Sequence, residues 1–337
     1  DIIENAPFKL AEIEGIGKVR AERITKSWSE QKIIREIMIF LQSHGIGSTR
    51  ANRIYKTYGE DSIKIVSENP YKLAKDITGI GFVSADAIAQ KLGIEKDSQV
   101  RAEAGISYTL LQGSSEGHCG IPKEKLITEA IKLLEIKREA IEYALAESLK
   151  QGEVIADLIA NEEVIFLAAY YRYEQTIANK IKNLLCSPVN LLNIESNNAV
   201  RWVEAKLNIK GASKQIDAIK QAIQSKILVI TGGPGTGKTT LVKSIITILK
   251  EQGITIKLAA PTGRAAKRLS ETSGLEAQTI HRLLDFKPGD GGFKHNENNP
   301  INADLLVIDE ASMIDVQLMS CLLKAISTNS SLVIVGD

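Results

Sequence analysis

Gly232-Gly233-Pro234-Gly235-Thr236-Gly237-Lys238-Thr239-Thr240 stands between a short apolar run, Lys226–Thr231, and a longer stretch, Leu241–Lys250. The run is short and rich in β-branched residues, so it reads as a buried strand, and the longer stretch reads as a helix. Strand, G-x-x-x-x-G-K-T and helix together are the context in which this motif forms a phosphate-binding loop. Its glycines let consecutive backbone N–H groups wrap phosphates, and the helix N-terminus adds positive potential. Lys238 is expected to reach the β- and γ-phosphates of ATP, and the Thr239 hydroxyl to ligate Mg²⁺. Gly233, Pro234, Gly235, Thr236, Gly237 and Thr240 complete the expected cradle.

Working outward, the other half of such a site is a strand that ends in acids. Asp304–Ile308 reads as that strand and Asp309-Glu310 follow it. Asp309 is placed to hold Mg²⁺ and Glu310 to activate the attacking water as general base. Elsewhere an adjacent acidic pair is usually just solvated. Ile256–Ala260, leading into Pro261-Thr262-Gly263-Arg264, and Leu332–Val335, leading into Gly336-Asp337, read as two more strands. Strands alternating with helices imply a parallel sheet with helices on both faces, with ligands at the carboxyl ends of its strands. The turn-rich stretch 285–302 reads as a β-hairpin inserted between these strands.

At the front, one pattern occurs three times: Gly-Ile-Gly, Ala six residues after the first Gly, and Ile nine after it. It starts at Gly15, Gly45 and Gly79, with Ala21 and Ile24, Ala51 and Ile54, and Ala85 and Ile88. The physical reading is helix, tight hairpin, helix. The glycines permit backbone angles that other residues resist, and the Ala and Ile share one face of the second helix. This resembles the helix-hairpin-helix motif, which grips the DNA phosphate backbone without reading sequence. Gly15, Gly17, Lys18, Arg20 and Arg23 of the first copy, and Gly45, Gly47, Arg50 and Arg53 of the second, are the expected phosphate contacts. The third copy carries Phe82, Val83 and Asp86 instead and is expected to be mainly structural. All three could also serve as packing units alone.

The middle carries no chemical motif. Two helices, at about 122–134 and 137–150, precede two short strands, 153–159 and 164–167, and a helix from 168 to 185. That order suggests a winged-helix-like unit, for DNA or for packing. The expected division is therefore residues 1–95, an all-α helix-hairpin-helix region; 96–200, a mostly helical, winged-helix-like α+β linker; and 201–337, a P-loop lobe.

The chain's 337 residues, 44% hydrophobic and 25% charged, are ordinary for soluble domains with real cores. A net charge of +1 excludes a whole-chain electrostatic pull on nucleic acid, so local basic patches must supply any contact. Three widely spaced cysteines without a C-x-x-C pair argue against zinc and fit a cytoplasmic setting. No apolar run approaches the roughly 18 residues of a membrane span, so no membrane association is expected.

Gly-Gly-Pro-Gly-Thr-Gly-Lys-Thr-Thr at 232–240, Ala-Pro-Thr-Gly-Arg-Ala-Ala at 260–266, Thr-Ile-His-Arg-Leu-Leu at 279–284 and Val-Ile-Asp-Glu-Ala-Ser-Met at 307–313 resemble the RecD-like branch of superfamily 1 DNA helicases, in that family's order. Helix-hairpin-helix repeats ahead of them point to the stand-alone type. The resemblance implies a RecA-like fold for the P-loop lobe, ATP-driven translocation 5′ to 3′ on single-stranded DNA, and a role in DNA repair or recombination. It also implies that Gln215 recognises adenine, that Thr262, Arg264 and His281 lie along the DNA, that the 285–302 hairpin projects towards it, and that Asp337 belongs to a segment coupling ATP to DNA. Both ends of the chain look cut, and a second motor lobe with its arginines is expected outside it. The isolated chain should then bind nucleotide weakly, hydrolyse it slowly and not unwind DNA. A DNA-dependent ATPase that remodels DNA or protein–DNA complexes, and a non-catalytic nucleotide-sensing DNA-binding module, remain open alternatives.

Overall fold

The computed structural model describes residues 3, 7–13, 16–189, 195–233, 235–287 and 292–337. The chain packs as two compact units, Asp1–Ala168 and Ala169–Asp337.

In the first unit a long helix α1 (Lys18–Ser43) runs into the second Gly-Ile-Gly hairpin, followed by α2 (Ser48–Tyr58), α3 (Ser62–Glu68) and α4 (Lys72–Asp76). The third hairpin leads into α5 (Phe82–Lys91). The repeat's apolar positions are the packed ones. Ile46, Ala51 and Ile54 of copy two, and Ile80, Ala85 and Ile88 of copy three, are all buried. Gly45 and Gly79 have φ of +86° and +89°, a left-handed backbone that only glycine adopts without strain. Copy one is built differently. Ahead of its hairpin the described residues form a 3₁₀ turn, Pro7–Glu12, and its second helix is α1 itself, which also serves as the first helix of copy two.

The chain continues through α6 (Gln99–Ser115), β1 (Gly120–Pro122), α7 (Lys123–Leu134), α8 (Arg138–Gln151), β2 (Val154–Ile159) and β3 (Glu162–Leu167). The three strands pair antiparallel in the order β1-β3-β2. Three helices with a β-ribbon wing give the winged-helix-like arrangement, completed by β1, which is too short to announce itself in the sequence. Pro122 precedes α7 rather than occupying its first turn, because it closes β1. One hydrophobic core runs from Ile37 through Ile80, Ile106 and Leu126 to Ile165, so the hairpin repeats and the winged-helix-like part share an interior.

An ion pair joins α5 to α6 within that core. Arg101 donates from Nε to Asp86 Oδ1 at 2.8 Å and from Nη2 to Asp86 Oδ2 at 3.2 Å. Its Nη1 caps the carbonyls of Lys96 and Leu134 at 2.7 and 2.9 Å. The Tyr71 hydroxyl donates to Asp86 Oδ1 at 2.7 Å, and Phe82 stacks between Tyr71 and Tyr108. The two residues that set copy three apart, Phe82 and Asp86, are thus engaged by the interior.

The second unit opens with α9 (Ala168–Leu185), α10 (Ser196–Leu207) and α11 (Ser213–Gln224). Then β4 (Ile227–Thr231), α12 (Lys238–Glu251), β5 (Ile256–Ala260), α13 (Gly263–Ser273), β6 (Ala277–Thr279) and α14 (Ile280–Leu283) alternate. A small ribbon, β7 (Phe286–Lys287) with β8 (Gly292–Phe293), interrupts them before β9 (Leu305–Ile308), α15 (Val316–Lys324) and β10 (Ser331–Gly336). Five strands form a parallel sheet in the order β4-β10-β9-β5-β6. Alternate residues of each strand enter different cores. Leu305, Val307 and Val333 pack with α10, α11 and α12 on one face, and Leu306, Ile308 and Leu332 with α14 and α15 on the other. Burial on both faces explains why β5, β9 and β10 read as continuous apolar runs; β4, at the sheet edge, is not the buried strand that its apolar run suggested, for only Ile230 is buried and Val229 is 59% exposed. The ribbon lies inside the expected 285–302 insertion and pairs Phe286 with Phe293; its turn, 288–291, lies outside the described residues.

Candidate nucleotide site and nucleic-acid interface

The P-loop leaves β4 at the sheet's carboxyl edge. Gly235 and Gly237 have φ of +77° and +82°, which turn the chain into α12 and require glycine. A methyl group placed on Gly233 or Gly235 would meet no atom within 4 Å, so the hollow above the loop is open to a phosphate. Thr236 Oγ1 donates to the Gly233 carbonyl at 2.8 Å and fixes the loop internally. Thr239 and Thr240 are exposed on the first turn of α12, whose other side buries Leu241, Val242, Ile245 and Ile248. Pro234 lies outside the described residues.

Lys238 is half-withdrawn, its ammonium donating to the Gly232 carbonyl and to the Asp337 carboxylate. Gln215 ties the start of α11 to the loop: its Nε2 donates to the Thr236 carbonyl at 3.2 Å, while its Oε1 accepts from Ala212 N–H at 3.1 Å. The acid pair sits at the end of β9. Asp309 N–H donates to Ala259 O at 3.0 Å, and Asp309 Oδ1 accepts from Glu310 N–H at 3.0 Å. Glu310 has φ of +54°, an uncommon backbone for a side-chain-bearing residue and one that clusters at functional sites. Sheet order explains the assembly. Because β10 lies between β4 and β9, Gly336-Asp337 emerges between the P-loop and the acid pair.

Thr262 N-caps α13, its Oγ1 accepting from Ala265 N–H at 3.2 Å. Arg264 is exposed beside it and pairs with no acid among the described residues. His281 is exposed on α14 and meets the ribbon's two aromatics, its ring 6.0 Å from Phe286 and 5.8 Å from Phe293. The pairing of these phenylalanines with His281 was invisible in the sequence, because it depends on how the inserted ribbon closes.

In the first unit, copies two and three exchange basic side chains. Arg53 of α2 donates to the Thr78 carbonyl in the third hairpin at 2.7 Å. Lys91, at the end of α5, brings its ammonium over Gly45 of the second hairpin, where any side chain on that glycine would collide with it. Among the described residues no carboxylate pairs with Lys91. Gly47 caps α2 with φ of −65° and an extended ψ of 155°, a backbone open to any residue, and a methyl group there would meet nothing within 4 Å. Neither conformation nor internal packing demands a glycine at 47, and the space over the helix N-terminus is open to a partner. Lys18, Arg20 and Arg50 are exposed on the corresponding first turns, and Gly17 caps α1 with the same open surroundings. Gly15 lies outside the described residues.

Sheet order, P-loop and acid pair make the second unit a P-loop lobe of the RecA-like kind, and the paired hairpins make the first a helix-hairpin-helix unit. Comparison with known proteins narrows the class. Residues 215–337 match the family described as AAA domain, and residues 30–120 match the ATP-dependent RecD2 DNA helicase HHH domain. The ATP-dependent RecD2 DNA helicase of Deinococcus radiodurans is 32% identical over 348 residues, covering 100% of this chain and 48% of that protein. The RecBCD enzyme subunit RecD of Mycolicibacterium smegmatis is 34% identical over 199 residues, 52% of this chain and 34% of the relative. The chain is RecD-like, with the helix-hairpin-helix region and first motor lobe of that helicase family. It spans about half the length of the Deinococcus relative and a third of the mycobacterial one.

Proposed function

We propose that this chain forms part of an ATP-driven DNA helicase that moves 5′ to 3′ along single-stranded DNA. The observation that carries this reading is the convergence of an open P-loop, Lys238 and the Asp309-Glu310 pair at one edge of a parallel sheet, in a chain that also carries paired helix-hairpin-helix motifs. Lys238 binds the β- and γ-phosphates, with the backbone N–H groups of Gly235, Thr236 and Gly237 around them. Thr239 and Asp309 would hold Mg²⁺, which when bound neutralises charge on the phosphates. Glu310 takes a proton from the attacking water. Gln215 reads the adenine while its amide anchors the loop. Thr262, Arg264 and His281 contact the tracked strand. Within the proposed division, residues 1–95 grip backbone phosphates, 96–200 connect, and 201–337 power movement. A second lobe with a transition-state arginine is part of this proposal, so residues 1–337 alone should turn ATP over slowly. DNA is the partner in this reading, and a reducing cytoplasm fits the three sparse, widely spaced cysteines.

The whole protein is expected to hydrolyse ATP faster with single-stranded DNA and to unwind a duplex bearing a 5′ tail but not one bearing a 3′ tail. Equal activity on both tails, or DNA-independent turnover, would contradict the reading.

The hairpins have their own test. Gly47→Asp fits the backbone and the open space, so its melting temperature should be that of the wild type. Its carboxylate at the helix N-terminus should weaken duplex binding by about tenfold. Lys91→Ala should lower the dependence of log K on log salt by about one. Unchanged binding in both variants, measured by fluorescence anisotropy across a salt series, would remove the second hairpin from the interface.

A further inference from the structure

We propose that Asp337 is a displaceable counter-ion of Lys238: it holds the P-loop ammonium when the loop is empty and is driven off when phosphate arrives. This rests on the nucleotide-binding reading above and adds a regulatory element to that site.

An ammonium has three donors. In this structure Lys238 directs them to the Gly232 carbonyl, the Asp337 carboxylate and, more distantly, the Gly233 carbonyl at 3.5 Å. A phosphate oxygen must therefore replace one of these acceptors. The two carbonyls belong to the loop itself. The Asp337 carboxylate sits on a side chain that can turn away, and is the acceptor free to leave. It is also the one that must leave, since a carboxylate beside phosphate oxygens repels them. Sheet topology gives the departure a consequence. Gly336 lies against the backbone beyond the acid pair, where an added methyl group would sit 3.2 Å from Ser312 N and 3.7 Å from Ala311 N. Segment 336–337 thus touches the P-loop lysine on one side and the loop following Glu310 on the other.

The test is equilibrium binding of a fluorescent ADP analogue with Mg²⁺ to the whole protein, as wild type, Asp337→Asn and Lys238→Ala. Removing the competing charge should tighten binding about two- to fivefold in Asp337→Asn, the range of a solvent-exposed ion pair. The gain should shrink as salt rises. Structural damage would weaken binding, so a gain is diagnostic; Asp337→Ser provides the same reading should Asp337→Asn fold poorly. Unchanged or weaker binding in both Asp337 variants, with binding lost in Lys238→Ala, would overturn this proposal and leave the nucleotide site standing. Wild-type binding in Lys238→Ala would overturn the site and this proposal together.

Discussion

Lys238→Ala is expected to abolish measurable nucleotide binding and to slow ATP hydrolysis by the whole protein on the order of 10²–10³-fold, the usual loss when one preorganised charge donor is removed. The side chain lies against the loop's own Gly232 carbonyl, and its ammonium is the cation that the P-loop itself supplies. The fold should survive, because the lysine's partners are a loop carbonyl and an exposed carboxylate rather than the core. Glu310→Gln should behave differently. It should bind nucleotide as tightly as the wild type while turnover falls about 10²–10⁴-fold, the contribution of a general base. Binding and turnover measured together separate the two roles; a Glu310→Gln enzyme that turns over normally would remove Glu310 from the chemistry.

Arg101→Ala should destabilise the first unit by about 3–5 kcal/mol, because it leaves Asp86 buried without its cation. The side chains of Arg101 and Asp86 are only 8% and 14% accessible, and the guanidinium also satisfies two backbone carbonyls. Burial by itself would raise the Asp86 carboxyl's pKa, but hydrogen bonds from Arg101 and Tyr71 outweigh it and hold it below the ordinary 3.8. The sign of the pH effect follows. A depressed pKa contributes stability that is full above the unfolded value and is lost as pH falls through the folded one. The first unit should therefore lose this contribution below about pH 4, and Asp86→Asn should flatten that part of the acid limb. Denaturant melts between pH 3 and 7 measure both. An Arg101→Ala midpoint equal to the wild type's would show that the pair contributes nothing net.

Much of the fold was legible because its signals are local. β5 and α9 fall where the sequence reading places them, and β4, β9 and β10 shift by only a residue or so, since each strand is a continuous apolar run. The P-loop was legible because its glycines answer a backbone requirement written in consecutive residues. What escaped depends on tertiary neighbours. Asp86 announced that copy three differs, but its partner is Arg101 on another helix. Lys91 carries no local signal, and only packing brings it over Gly45. Asp337 reaches Lys238 only because β10 inserts between β4 and β9, a strand order that no local pattern encodes. β1 and β6, at three residues each, are too short to show a period.

The most direct measurement is a titration of the whole protein with a fluorescent ATP analogue and Mg²⁺, beside the same protein carrying Lys238→Ala. Saturable binding by the wild type that disappears in the variant is the expected result, and it would fix the nucleotide in the loop between β4 and α12. Equal binding by both chains, or binding by neither, would contradict a nucleotide site built on Lys238.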